Sequence, residues 1–338
     1  MATSEHTELP ERFGPMTVKE LRQSLRRSSF VYPFVSIHIF ATLTIYAEFQ
    51  LGIGIGSGSG GLPAVFAWDP DHVSPFWWVA MAVCGLLMPM AGFFLMPQEI
   101  EEGNHELLLL TTLSRWQIVF GKFIMLWGLS TLTFTSLLPY IIIRYFIGGI
   151  EWFHELASAG SVVGAAAIVS AGTIAASGFG NLASRFGVFA LFAFSALAGG
   201  GAGMIGGAMT LNMSSKSGYA WLGNLFYHFS ILCVVGCYSI IGMLVARSRL
   251  RLATMNFELK PSAVLLIILG LAPFIIGMAA AFTCGFGSLA GVLLLTYLAW
   301  NSDLTPKAPK WLPPPPPNVP SADTDQPPQP DGAIVDKP

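Results

Sequence analysis

The sequence predicts an all-α integral membrane protein: a polytopic helix bundle of six core spans followed by a C-terminal hydrophobic hairpin, eight spans in all. Three observations carry this. The 338 residues are 53% hydrophobic and only 11% charged, where a soluble domain carries about 25% charged residues. Apolar runs of bilayer length recur along the chain. Lys and Arg gather on one side of those runs. A net charge of -2 without a basic stripe excludes nucleic acid as a partner.

Residues 1–29 precede the first run. They are too long and polar for a signal h-region, and are expected to remain as a cytoplasmic amphipathic segment. Thr17 can cap a helix while Glu20 closes a capping box and Met16 staples onto Leu21. Val18, Leu21 and Leu25 then share one face, and Lys19, Arg22 and Arg26 another. That pattern suits a helix lying on the anionic inner leaflet, as an anchor or as a force-transmitting element.

The core, residues 30–251, holds runs at 30–47, 76–96, 123–143, 159–179, 186–209 and 222–246. The stretch from Ser262 to Trp300 carries no charge. At 1.5 Å per residue it spans about 58 Å, nearly twice the hydrocarbon thickness. It is expected to fold back at 283–287 as a hairpin within 252–301, its short second arm either spanning or re-entrant. The tail, 302–338, is rich in proline from Pro313 to Pro317 and beyond, and reads as disordered and cytoplasmic.

With the N-terminus inside, only Arg144 and Lys216 among the basic residues fall outside, where Glu48, Asp69, Asp71, Glu151 and Glu155 gather. Trp77, Trp78, Trp116, Trp152, Trp221 and Trp300 lie near the expected interfaces. Arg144 is expected to snorkel outward without a special role. The four cysteines sit in or beside apolar runs and read as unpaired packing residues.

The most informative segment is the inner loop, 97–117, between spans two and three. It opens with Glu99, Glu101 and Glu102, breaks at Gly103, continues as a short helix over Glu106 to Leu110, and turns. A new helix capped by Ser114 follows, with Gln117 at its third position and Leu113 and Ile118 as the staple. Physically this is a rigid lever at the inner ends of two membrane helices.

The run Glu101-Glu-Gly-Asn-His-Glu-Leu-Leu-Leu-Leu-Thr-Thr-Leu-Ser-Arg-Trp-Gln-Ile-Val-Phe-Gly-Lys122 resembles the loop between spans two and three of ABC-2 type transporter permeases, and Lys19 to Arg26 resembles the segment before their first span. Asn104, His105 and Thr112 depart from the usual pattern. The resemblance implies that Glu101, Glu102, Gly103, Glu106, Leu107, Thr111, Thr112, Ser114 and Arg115 dock on a separate ABC-type ATPase. It also implies a homodimer or heterodimer of permeases in the cell membrane, with the N-terminus cytoplasmic. The re-entrant hairpin typical of that family would have to come from the Gly-rich end of span five. Gly121-Lys122 lacks the flanking residues of a phosphate-binding loop, so ATP belongs to the partner chain and no cofactor to this one.

Other features take quieter readings. Gly160 and Gly164, then Gly199, Gly203 and Gly207, are spaced by four and suit close helix packing within a subunit or across a dimer. His38 and His228 are expected to be hydrogen-bonded packing residues rather than proton relays. Met81, Cys84 and Met88 share a helical face but read as core rather than a copper site. Asp69, Asp71 and His72 read as a solvated loop, and His154-Glu155 lacks the second histidine of a zinc hydrolase. No catalytic residue or metal site is expected. The leading expectation is an exporter's permease subunit; the alternative is a membrane scaffold worked on by an ATPase without transport.

Overall fold

A computed structural model describes residues 21, 24–25, 28–51, 74–94, 115–148, 152–216, 220–249, 261–283 and 287–302. The chain divides into two units, Met1–Asp303 and Leu304–Pro338; the described residues lie in the first, so the proline-rich tail is outside them. Among the described residues there are helices and no strands. We number them α1 (Ser28–Leu51), α2 (75–94, a composite), α3 (Arg115–Thr135), α4 (Leu138–Gly148), α5 (Trp152–Ser177), α6 (Leu182–Lys216), α7 (Ala220–Arg249), α8 (Pro261–Phe282) and α9 (Gly287–Ser302).

Seven spans among the described residues are long and apolar enough to cross a membrane, with α3 and α4 joined as one from Arg115 to Phe146. This is an all-α polytopic membrane protein. α9, at 16 residues, extends about 24 Å, short of the roughly 30 Å hydrocarbon core.

The bundle is built around α5 and α7. Their apolar windows are 61% and 67% buried, against 11% for α1 and 22% for α8, so the latter two turn most of their side chains outward. With lipid as solvent, exposed Val35, Ile39, Leu43, Ile267 and Phe274 carry no penalty. One core cluster joins α5 to α9 through Phe192, Tyr238, Leu244, Leu269, Ile276 and Leu295. A second joins α1, α2, α3 and α5 through Ile37, Phe76, Cys84, Phe134 and Val162, and a third unites α3, α5 and α7.

Two helices break regular winding, each beside a proline. In α2, Met81–Leu87 is π-wound, and the Met88 amide reaches the Val83 carbonyl. Pro89 lacks an N–H, and its ring crowds the carbonyl four residues back. The wider turn relieves that clash, and a tight 3₁₀ turn, Ala91–Phe94, follows. The Pro89 carbonyl accepts from Thr173 Oγ1 at 3.0 Å, which ties this irregular stretch to α5. Between α3 and α4 the ladder tightens at Leu137, whose amide bonds Phe134 at 2.9 Å, just before Pro139.

The hairpin turns where the sequence places it. α8 ends at Phe282 and α9 starts at Gly287. Thr283 Oγ1 donates to the Ala279 carbonyl at 2.6 Å and accepts from the Gly287 amide. A Cβ at Gly287 would lie 2.5 Å from the Ala279 carbonyl oxygen, so only glycine closes this turn. α6, by contrast, runs unbroken through its glycines to Lys216. The expected re-entrant hairpin is therefore not made by the Gly-rich end of span five.

Candidate functional site

Consecutive spans run antiparallel, so the ends of α1 and α4 and the beginnings of α2 and α5 meet at one end of the bundle. Glu48, Ser74, Arg144 and Glu155 come together there, 3%, 5%, 4% and 5% exposed. Arg144 Nε donates to Glu48 Oε2 at 3.0 Å. Its Nη1 donates to both Glu155 oxygens at 2.9 Å, and its Nη2 to Ser74 Oγ at 2.7 Å. Ser74 in turn donates to Glu48 Oε1, which also accepts from the Phe76 amide at 2.9 Å. Trp77 Nε1 donates to Glu155 Oε1 at 3.3 Å, and the guanidinium lies 4.9 Å over the Phe76 ring.

Each of the three guanidinium nitrogens donates, and each carboxylate has at least one neutral donor besides. That satisfaction makes a buried charge cluster tolerable. The two carboxylates also favour the helix N-termini they face, Glu48 at α2 and Glu155 in the first turn of its own helix. The cluster is a clasp fastening four helices. It corrects two expectations: Arg144 does not snorkel outward, and Glu48 and Glu155 are helix residues rather than loop charges; Trp77, in the first turn of α2, is 4% exposed.

The opposite end is basic. Arg249 Nε donates to the Gly178 carbonyl at 3.3 Å and its guanidinium lies 4.3 Å over Phe179. Arg185 Nε donates to the Phe179 carbonyl at 2.7 Å and its Nη2 to that of Gly180 at 3.1 Å. These arginines satisfy carbonyls left open where α5 ends. Arg247 and Arg249 occupy the last turn of α7, where cations complement the helix dipole. Lys122, 1% exposed, lies about two turns inside α3.

Both flanks of the 97–117 loop sit at this basic end. Phe93, at the close of α2, packs on Phe186 and Phe189 of α6 at 5.4 and 4.9 Å between ring centroids. α3 begins at Arg115, the residue after the expected cap, and Arg115 is half-buried. Trp116 meets Trp300 edge-on at 5.9 Å, with Arg247 6.0 Å over its ring. Glu101, Glu102, Gly103, Glu106, Leu107, Thr111, Thr112 and Ser114 lie outside the described residues, as do Thr17, Lys19, Glu20, Arg22 and Arg26. Of the N-terminal segment, Leu21, Ser24 and Leu25 are helical, and Ser24 Oγ contacts Met125 Sδ at 3.5 Å.

The glycines divide. A Cβ at Gly164 would meet Val235 at 3.1 Å, one at Gly203 would meet Val234 at 3.3 Å, and one at Gly199 would collide with the Tyr238 hydroxyl. These three pack helices within the protomer. Gly160 has nothing within 4 Å, so it mediates no such approach, and the packing of Gly207 lies outside the described residues. His38 shares a hydrogen bond with Ser136 at 3.1 Å, beside the α3–α4 break. His228 is exposed, against Tyr227, not the packed residue expected. Cys84, Cys233 and Cys237 are free; Cys84 and Met88 pack in the core while Met81 is half-buried.

Sequence reasoning missed the clasp. The available signal was a lone charge amid apolar residues near a span end, in Tyr46-Ala-Glu48-Phe and Ile143-Arg144-Tyr145, since ionisable groups at membrane depth call for partners. Comparison of the chain with protein-family models, with curated proteins and with solved structures returns no match.

Proposed function

We propose that this multi-pass membrane protein is the permease subunit of an ATP-driven transporter of the ABC-2 type, an exporter, working as a dimer with a separate ATPase. The observation that carries the reading is the 97–117 loop: its sequence resembles a coupling loop, and both its flanks emerge at the basic end of the bundle. A basic end faces the cytoplasm by the positive-inside rule, which puts the N-terminus and the loop within reach of a nucleotide-bound partner.

In this reading the ATPase pair closes on ATP and displaces the loop, and the motion passes into α2 and α3. The clasp holds the far ends of α1, α2, α4 and α5. Bending therefore falls on the π and 3₁₀ turns of α2 and on the α3–α4 break, where backbone hydrogen bonding is already irregular. Such a hinge lets a push at one end reorient a path through the membrane without opening the other end.

The test is purification from the native membrane in mild detergent. The reading expects a co-purifying ATP-hydrolysing chain whose turnover changes with the permease present, and Glu106→Lys abolishing that change while the protein still inserts. Unaltered coupling in Glu106→Lys would refute the lever. ATP-dependent substrate movement in vesicles separates a transporter from a scaffold moved by an ATPase, which would hydrolyse ATP and move nothing.

A further inference from the structure

The hairpin α8–α9 lies beyond the six-span core and has no part in the function proposed so far. Its last turn nevertheless reaches the root of the 97–117 loop. Val292, Leu295 and Ala299 are 1%, 1% and 0% exposed and seat α9 in the cluster it shares with α7 and α8. That seating fixes the position of Trp300, whose ring meets Trp116 at 5.9 Å and 70°. Edge-to-face geometry of this kind is a favourable aromatic contact.

Trp116 is the second residue of α3. The opening turn of any helix is its weakest part, because its first amides lack intrahelical acceptors. What grips the side chains there decides how firmly the preceding segment is directed. The Trp116 ring is gripped from two helices distant in sequence, by Trp300 of α9 and by Arg247 in the last turn of α7. It also packs against both the α5–α9 cluster and the α3–α5–α7 cluster.

We propose that Trp300 is a positioning residue: through Trp116 the C-terminal hairpin braces the start of α3 and sets the direction in which the 97–117 loop leaves the bundle. The brace needs no partner protein; its effect on coupling rests on the ATPase-docking reading above. It gives the added hairpin a role in the loop's stiffness rather than in the transport path.

The test is amide hydrogen exchange on the full chain in lipid nanodiscs, comparing the parent with Trp300→Leu, which keeps apolar bulk, and Trp300→Phe, which keeps a ring. Peptides spanning 111–122 should exchange roughly twofold to tenfold faster in Trp300→Leu, the range an aromatic pair confers. Peptides spanning 144–160, at the clasp, should not change, and Trp300→Phe should return most of the protection. No change at 111–122 would overturn the proposal, as would equal acceleration at both ends, which is a general loss of stability, or a Phe variant no better than Leu. Where the ATPase co-purifies, Trp300→Leu should also reduce its stimulation. Accelerated exchange without any ATPase would keep the brace and sink the docking reading.

Discussion

Arg144→Met is the sharpest perturbation of the bundle. Methionine fills similar volume but removes both contacts to Glu155, the contact to Glu48 and the one to Ser74. Glu48 keeps two donors, Ser74 and the Phe76 amide, whereas Glu155 keeps only Trp77 Nε1 among the hydrogen bonds described. Two buried carboxylates thus lose their shared cation, and breaking a buried pair by removing one partner costs about 3–5 kcal/mol. At about 2 °C per kcal/mol for a chain of this size, the unfolding midpoint should fall by about 6–10 °C. Neutralising the whole cluster as Glu48→Gln, Arg144→Met and Glu155→Gln leaves no uncompensated charge and should recover at least half of that loss. The assay is the apparent midpoint of the detergent-solubilised protein at one scan rate. A drop below about 2 °C in the single variant, or a triple variant less stable than the single, would refute the idea that ion pairing holds this end together.

Other outcomes follow from the same packing. Gly242→Ala would set a Cβ 2.9 Å from the Ala171 backbone, which cannot swing aside, and should cost about 1–3 kcal/mol in the same melting assay. Gly160→Ala meets open space and should be neutral or gain about 0.5–1 kcal/mol. Pro89→Ala restores an amide and should let α2 wind regularly; the protein should stay folded, while ATPase stimulation by the permease falls several-fold if bending at α2 transmits the stroke. Ser136→Ala removes the hydroxyl that bonds both His38 and the Thr133 carbonyl and should lower the midpoint by about 2 °C, the effect of one ordinary hydrogen bond.

The spans were legible because bilayer length and hydropathy are local properties of sequence. So was the turn at 283–287, where threonine and glycines interrupt an uncharged run. The clasp was not legible, because Glu48 and Arg144 stand 96 residues apart and their pairing depends on which helix ends become neighbours. Glycine spacing marked Gly160 and Gly164 alike, yet only the second meets a facing helix; spacing defines a face, not what lies opposite. The π turn of α2 hides for another reason: Pro89 announces a disturbance, but packing against α5 decides whether the helix kinks, breaks or widens.

The account turns on the 97–117 loop reaching a nucleotide-hydrolysing chain in the cytoplasm. A photo-crosslinking amino acid at Asn104, activated in living cells, measures this in one step. The account predicts a single prominent adduct with an ATP-hydrolysing protein. Adducts confined to lipid, or reaction of that position with a membrane-impermeant reagent added outside intact cells, would contradict it.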